Sequence, residues 1–419
     1  MTIVPTGGSI AAAALVVSAA CTACGGASVE LKSRVDAESQ PIAIDVILDQ
    51  GNHAVATRVM SAASGAFATL APILGPLPDS SITILDRAAA ARRASASAIV
   101  LDAIPVWTTP QGMAVELDTA RAVVRRYWTT AADLRALPDW FVDGLVEYWA
   151  RRCVTPIFRR VNLGTGYAML EMRFFGRLVP EVVRIRLEPD QDGEPIDSFR
   201  RRPHVDVVSQ MPDERRALAG KALLTIATLE RWLGPPAFDG VLAELARASR
   251  RRQVTLDDVF VVISGASGED VSWLRDQALR STATFDYAVR SLDSQPLASG
   301  YRTTVIVERR GEAMFAGTNA PQVGPFESGV GLALRVAFAD GERIDDRWDG
   351  RDLRRTFVYD APAPAVAAEI DPDAVLALDL NRTNNGATTR PRSVTAATRW
   401  SALWAQWLEH LLLTWSFVA

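Results

Sequence analysis

The sequence predicts an α+β protein: a helix-rich body, then a small β-sandwich, then an amphipathic helix at the C-terminus. Three observations carry this. Apolar residues recur at three- and four-residue spacing through 54–75, 114–128, 138–152 and 213–248. After Tyr287 the period changes to two, in short runs separated by Gly, Asp and Asn. Trp400, Trp404, Trp407 and Trp415, with Leu403, Leu408 and Leu411, then form a helical stripe at the end of the chain.

The 419 residues, 48% of them hydrophobic, suffice for two or three domains with real cores. A formal net charge of −4 argues against a general nucleic-acid binder, which would carry a basic excess. The arginine runs 200–202 and 250–252 have no interleaved aromatics and read as solvated faces. Only His53, His204 and His410 are histidines, and only Cys21, Cys24 and Cys153 are cysteines. That scarcity weighs against zinc chemistry, since zinc draws on those two residue types. Cys21 and Cys24 have CxxC spacing, but no second pair and no βαβ context accompany them. No metal and no cofactor is expected.

Along the chain, residues 1–27 hold the apolar run SIAAAALVVSAAC, of signal-peptide length and ending like a lipoprotein cleavage site at Cys21. No basic residue precedes Lys32, so a disordered or mis-started N-terminus stays open as the alternative. IAIDVIL at 42–48 and SSITILD at 80–86 read as strands around the helix 54–75, which stops at Gly75-Pro76. Residues 164–210 read as irregular. The helical pattern 213–248 breaks at Gly234-Pro235-Pro236. Thr255 is a plausible N-cap for the next helix, and Asp270 or Ser272 for the one after. The expected strands of the sandwich are YRTTVIVERRG, GLALRVAFADGER, RTFVYD and AVLALDLNRTNNG, with hairpin turns at ADGE and WDGRD. Phe338, Trp348, Phe357 and Leu378 are its expected core. Residues 396–419, with four tryptophans, suit a membrane interface, although Glu409 and His410 oppose full insertion; docking on the protein itself is the alternative.

The ordered segments RAVVRRYW, DWFVDGLVEYWA and GKALLTIATLERWLGPPAFDGVLAEL resemble the membrane alanyl aminopeptidase family of zinc peptidases, the gluzincins, with their thermolysin-like catalytic domain. FADGERIDDRWDGRD and EIDPDAVLALDLNRTNN are similar to the sandwich that follows it in bacterial members. The resemblance spans roughly 42–390 and implies a degenerate catalytic domain over 42–290 and a sandwich over 295–392. In that family, His-Glu-x-x-His on one helix supplies two zinc ligands and a general base, and an acid on the next helix supplies the third ligand. With Trp128 taken as the tryptophan after the second histidine, the histidine positions become Ala122 and Arg126, the base Val123 and the third ligand Asp143. The substrate-amine segment falls near 94–102 without its Met, Glu or Asn, and the transition-state tyrosine at Ala219, two before Lys221.

The resemblance therefore implies a catalytically inactive relative, exported and associated with the cell envelope or membrane, that acts as a binding or scaffold module. It would take a peptide or protein partner, touch the membrane surface through its last helix and bind no nucleic acid. Arg126, Trp128, Asp143, Glu147 and Tyr148 are the candidate binding residues, with no catalytic residue assigned. Arg126 is expected to form an ion pair with Asp143 or Glu147 where a metal would sit. The competing reading is a hydrolase with a rebuilt site around Asp139, Asp143 and Glu147. A serine hydrolase is disfavoured because no G-x-S-x-G occurs.

Overall fold

The computed structural model describes residues 28–37, 40–49, 53–75, 77, 79–93, 98–101, 114–131, 134–164, 195–207, 211–317, 331–390 and 401. The segments 1–27 and 396–419 thus lie outside the described residues, Ser401 excepted. The chain is mixed α+β and falls into two compact units. The first takes the described residues up to Ala131 and the stretch from Trp149; the second takes the stretch up to Tyr148 and the described residues from 195 onward.

In the first unit, β1 (Val29–Ala37), β2 (Gln40–Leu48), β3 (Ser81–Asp86) and β4 (Ala98–Leu101) form one sheet in chain order. β1 and β2 are antiparallel, whereas β3 and β4 add in parallel. The parallel step from β2 to β3 needs a crossover, and α1 (His53–Leu74) supplies it before stopping at Gly75, whose φ is +84°. Among the described residues α1 alone is long and apolar enough to cross a membrane, yet Val59, Ala63, Phe67 and Leu70 on it are fully buried in the protein. A single turn, α2 (Arg87–Ala90), is capped by Asp86, whose carboxylate accepts the Ala89 N–H at 2.7 Å. α3 (Ala114–Ala131) packs on α1, where Arg58 donates Nε–H and Nη2–H to the two Glu116 oxygens, each at 2.7 Å. That bidentate pair answers the charge of an otherwise buried glutamate.

The second unit begins with the start of α4 (Asp139–Gly164), followed by α5 (Ile196–Arg201) and α6 (Pro212–Leu233). α6 opens favourably, with Pro212 at its first turn and Asp213 and Glu214 at the positive end of its dipole. Gly234 at φ +81° ends it and Pro235 starts α7 (Pro235–Arg251), as the Gly-Pro-Pro break predicts. Thr255 caps α8 (Leu256–Ser267) in a reciprocal capping box with Asp258. Asp270 accepts the Ser272 N–H at 2.9 Å where α9 (Ser272–Leu274) begins, and α9 runs on into a π-turn over Arg275–Leu279.

Two antiparallel sheets complete this unit. One has the order β5 (Tyr287–Pro296), β6 (Tyr301–Arg309), β9 (Arg354–Ala361); the other has β11 (Gly386–Thr388), β10 (Ala365–Ile370), β7 (Leu332–Phe338), β8 (Arg343–Trp348). Phe338, Trp348, Phe357 and Leu378 are all buried, as expected. Two turn assignments separate here. ADGE makes the β7–β8 hairpin, with Gly341 at φ +94°. WDGRD does not make a hairpin, because β8 and β9 belong to different sheets and the segment carries the chain across between them.

AVLALDLNRTNNG is also not a strand. Leu376 and Leu378 alternate inward, but the backbone donors a ladder would use are taken by carboxylates. Asp371, at φ +53°, accepts the N–H groups of Val375 and Leu376 at 2.8 and 3.0 Å. Asp379 accepts the Asn381 N–H at 3.0 Å and the Asn385 side-chain amide at 3.1 Å. Burial pushes both carboxyls up to about 6, against these donors, which favour the ionised form. A raised value means the folded state holds the proton more tightly than the unfolded chain. The stability so gained is complete below the ordinary value of 3.8 and is lost as pH rises through about 6. Urea midpoints of the parent and Asp379→Asn, compared pH by pH, should therefore differ by an amount that changes between about pH 4 and 7. A difference constant over that range would show that Asp379 is not the group responsible.

Candidate functional site

The acids of DWFVDGLVEYWARR lie on α4, and its first half is fixed by one close approach. Gly144 lies so near α6 that a Cβ there would meet the Ala222 Cβ at 2.6 Å, the Ala219 carbonyl oxygen at 2.7 Å and the Leu223 nitrogen at 3.0 Å. Glycine inside a helix costs about 0.5–1 kcal/mol relative to alanine, so its presence needs a packing reason, and this contact is one. Trp140 and Phe141 are buried edge to face with ring centroids 6.0 Å apart. Tyr148 is likewise buried, edge-on to Phe238 of α7 at 5.9 Å.

Three acids follow from that placement. Asp139 is exposed and pairs with Arg215 of α6 at 3.0 Å, a surface bridge of small energetic weight. Asp143 is half-buried and Glu147 is buried; four residues apart, they share a face of α4. On α6, Ala219 holds the position where the resemblance expects a tyrosine. Two residues on, Lys221 is buried, and its Nζ donates to the Ser281 carbonyl at 2.8 Å. Burial pulls this ammonium down to about 8, with the Asp206 charge opposing. In the sequence Lys221 is marked only by standing two residues after Ala219, and its burial has no signal in the local pattern.

Arg126 and Trp128 belong to the first unit. Trp128 is buried, and its indole N–H has no partner among the described residues. The Arg126 guanidinium donates through Nη2 to Asp79, between α1 and β3, at 2.8 Å, an acid other than the two that the sequence suggests. The sequence missed this because Asp79 follows Gly75, Pro76 and Pro78 in a turn segment, where an acid reads as solvated. Cys153 is buried as well, and burial pushes its thiol up to about 12, which leaves it protonated and inert.

A zinc site of the kind the resemblance implies does not fit these residues. Val123, at the base position, is fully buried in apolar core. Ala122 offers no donor atom, and Arg126 offers a cation already committed to Asp79. Among the described residues no three His, Cys, Asp or Glu side chains converge as metal ligands would.

No family model matches the chain, and no curated protein does. Among solved structures it is similar to an aminopeptidase A of Legionella pneumophila, determined in complex with aspartic acid. That match has a TM-score of 0.50 and 11% identity, and covers 84% of this chain and 38% of the other. The chain therefore spans well under half the length of that enzyme. The likeness is one of fold, and the fold is aminopeptidase-like.

The packing role of Gly144 is directly measurable. Gly144→Ala should destabilise by about 1–3 kcal/mol, because a backbone must move to admit the methyl group. Gly240 on α7 has nothing within 4 Å of a Cβ, and there the same substitution should stabilise by about 0.5–1 kcal/mol. Chemical denaturation of the two variants reads both signs, and the same sign at both positions would contradict the contact.

Proposed function

We propose that this protein is a catalytically silent, aminopeptidase-like protein that works by binding a peptide or protein partner. The observation that carries the reading is the fate of the positions where the resemblance expects zinc ligands and base. Val123 is core, and Arg126 is committed to Asp79. Neither can be converted to a ligand by a small rotation, since one has no donor atom and the other has no lone pair to give. The acids that remain on α4 sit on a helix whose position is set by packing at Gly144, so their retention has a structural explanation.

Purified protein should carry much less than one tightly held zinc per chain and should leave aminoacyl reporter substrates uncleaved. About one zinc per chain, with turnover lost in Asp143→Ala or Glu147→Ala, would establish the competing hydrolase instead.

Export and membrane contact belong to the same proposal. They are supported by the apolar run before Cys21 and by the tryptophan stripe of 396–419. Removing 396–419 should shift the protein from the membrane fraction to the soluble one. Equal partitioning of the truncated and full chains would mean that the stripe docks within the protein or that the N-terminal anchor suffices.

A further inference from the structure

The outer face of the β5–β6–β9 sheet gathers three arginines around a single carboxylate. Glu308, near the end of β6, is buried, and its Oε1 accepts from Arg310 Nε at 2.8 Å. Its Oε2 accepts from Arg290 Nη1 at 3.1 Å and from Arg354 Nε at 3.3 Å. Each arginine arrives by a different device. Arg354 is the direct cross-strand neighbour of Glu308 on β9. Arg310 lies two residues beyond Glu308, where β6 has ended. Arg290 is the extra residue of a β-bulge between Val289 and Ser291, a feature that re-aims a side chain.

The charges do not balance. Among the described residues, Glu308 is the only carboxylate paired with any of the three, so the cluster carries two uncompensated positive charges. Arg310 and Arg354 give only Nε–H to the carboxylate, and Arg290 gives only one terminal amino group. Among the described residues the other guanidinium donors have no protein partner, and the three side chains are 48–60% exposed. Elsewhere on the same sheet face, Arg302 meets Asp360 bidentately and its charge is cancelled. A buried acid that holds three forks in place with their outer donors free is an organised receptor for a doubly charged oxyanion.

We propose that Arg290, Arg310 and Arg354, held by Glu308, bind a phosphate group, carried by an anionic phospholipid headgroup or by a free phosphate compound. Guanidinium suits this ligand because its planar fork matches phosphate oxygens and stays charged at all relevant pH. The net charge of the cluster matches a phosphate dianion. The exposure of the three guanidinium groups leaves them accessible to a ligand borne on a surface.

The test uses the full chain, so that any contribution of the C-terminal segment is common to all variants. Binding is measured to phosphatidylcholine vesicles with and without phosphatidic acid, and by calorimetry to inorganic phosphate. Arg310→Gln/Arg354→Gln should weaken binding to the phosphatidic acid vesicles by roughly 25-fold, about five-fold for each basic residue near an anionic surface. Arg302→Gln should bind like the parent. A phosphate heat present in the parent and lost in the double variant, with no vesicle preference, would make free phosphate the ligand. If the double variant does not fold, Arg354→Gln alone should show the five-fold loss. The proposal is overturned if the parent binds neither probe, if the arginine variants bind both as the parent does, or if Arg302→Gln weakens binding equally.

Discussion

The distance between α4 and α6 is the constraint on which the second unit is arranged. It is set by the absence of a side chain at Gly144, opposite Ala219 and Ala222. With no Cβ in the way, the backbone of α4 lies against small residues of α6, and that contact fixes the rotation of α4 about its axis. Once the rotation is fixed, Trp140, Phe141, Leu145 and Tyr148 turn into apolar packing. Asp139 is left at the rim, within reach of Arg215, and Asp143 and Glu147 take the same side of the helix. The acidic side of α4 is thus a by-product of a packing requirement.

Arginine recurs as the cationic partner of carboxylates in this chain. Arg58 meets Glu116 bidentately, Arg126 meets Asp79, Arg335 meets Asp345, and three arginines share Glu308. The chain has only two lysines, Lys32 and Lys221, and the latter is buried. There its point charge serves one backbone carbonyl, and burial shifts it towards the neutral amine. A guanidinium gives up its proton far less readily and offers several donors at once. It can therefore hold an acid at the edge of a core without the partner losing its charge.

The order of strands and helices was legible in the sequence where pattern and local chemistry agreed. The helix at His53–Leu74, the break at Gly234 and the cap at Thr255 each combine periodicity with a residue that can do little else. β1 was missed because Lys32 and Arg34 fill outward positions and leave a thin apolar signal in Leu31 and Val35. β10 was missed because its alanines alternate without contrast. The 374–386 segment misled in the other direction. Its alternation is real and buries leucines, but Asp371 and Asp379 take the N–H groups that a ladder would need. Period-two burial reports which residues face inward, not what the backbone bonds to. The acids of α4 were legible, and the partner of Arg126 was not, because Asp79 lies far away in sequence.

That distinction bears on why DWFVDGLVEYWARR looks like part of a peptidase. Two selections can keep an acid–glycine pair on a helix: a ligand role for the acid, or a packing role for the glycine. The coordinates give the glycine a definite role and tie Arg126, the expected partner of the acid, to Asp79. An acid next to an obligatory glycine is then carried on a helix that cannot rotate or withdraw. Half-buried as it is, Asp143 must keep some compensating interaction. Packing at Gly144 is therefore sufficient to account for the acid–glycine pair on this helix without a ligand role for the acid.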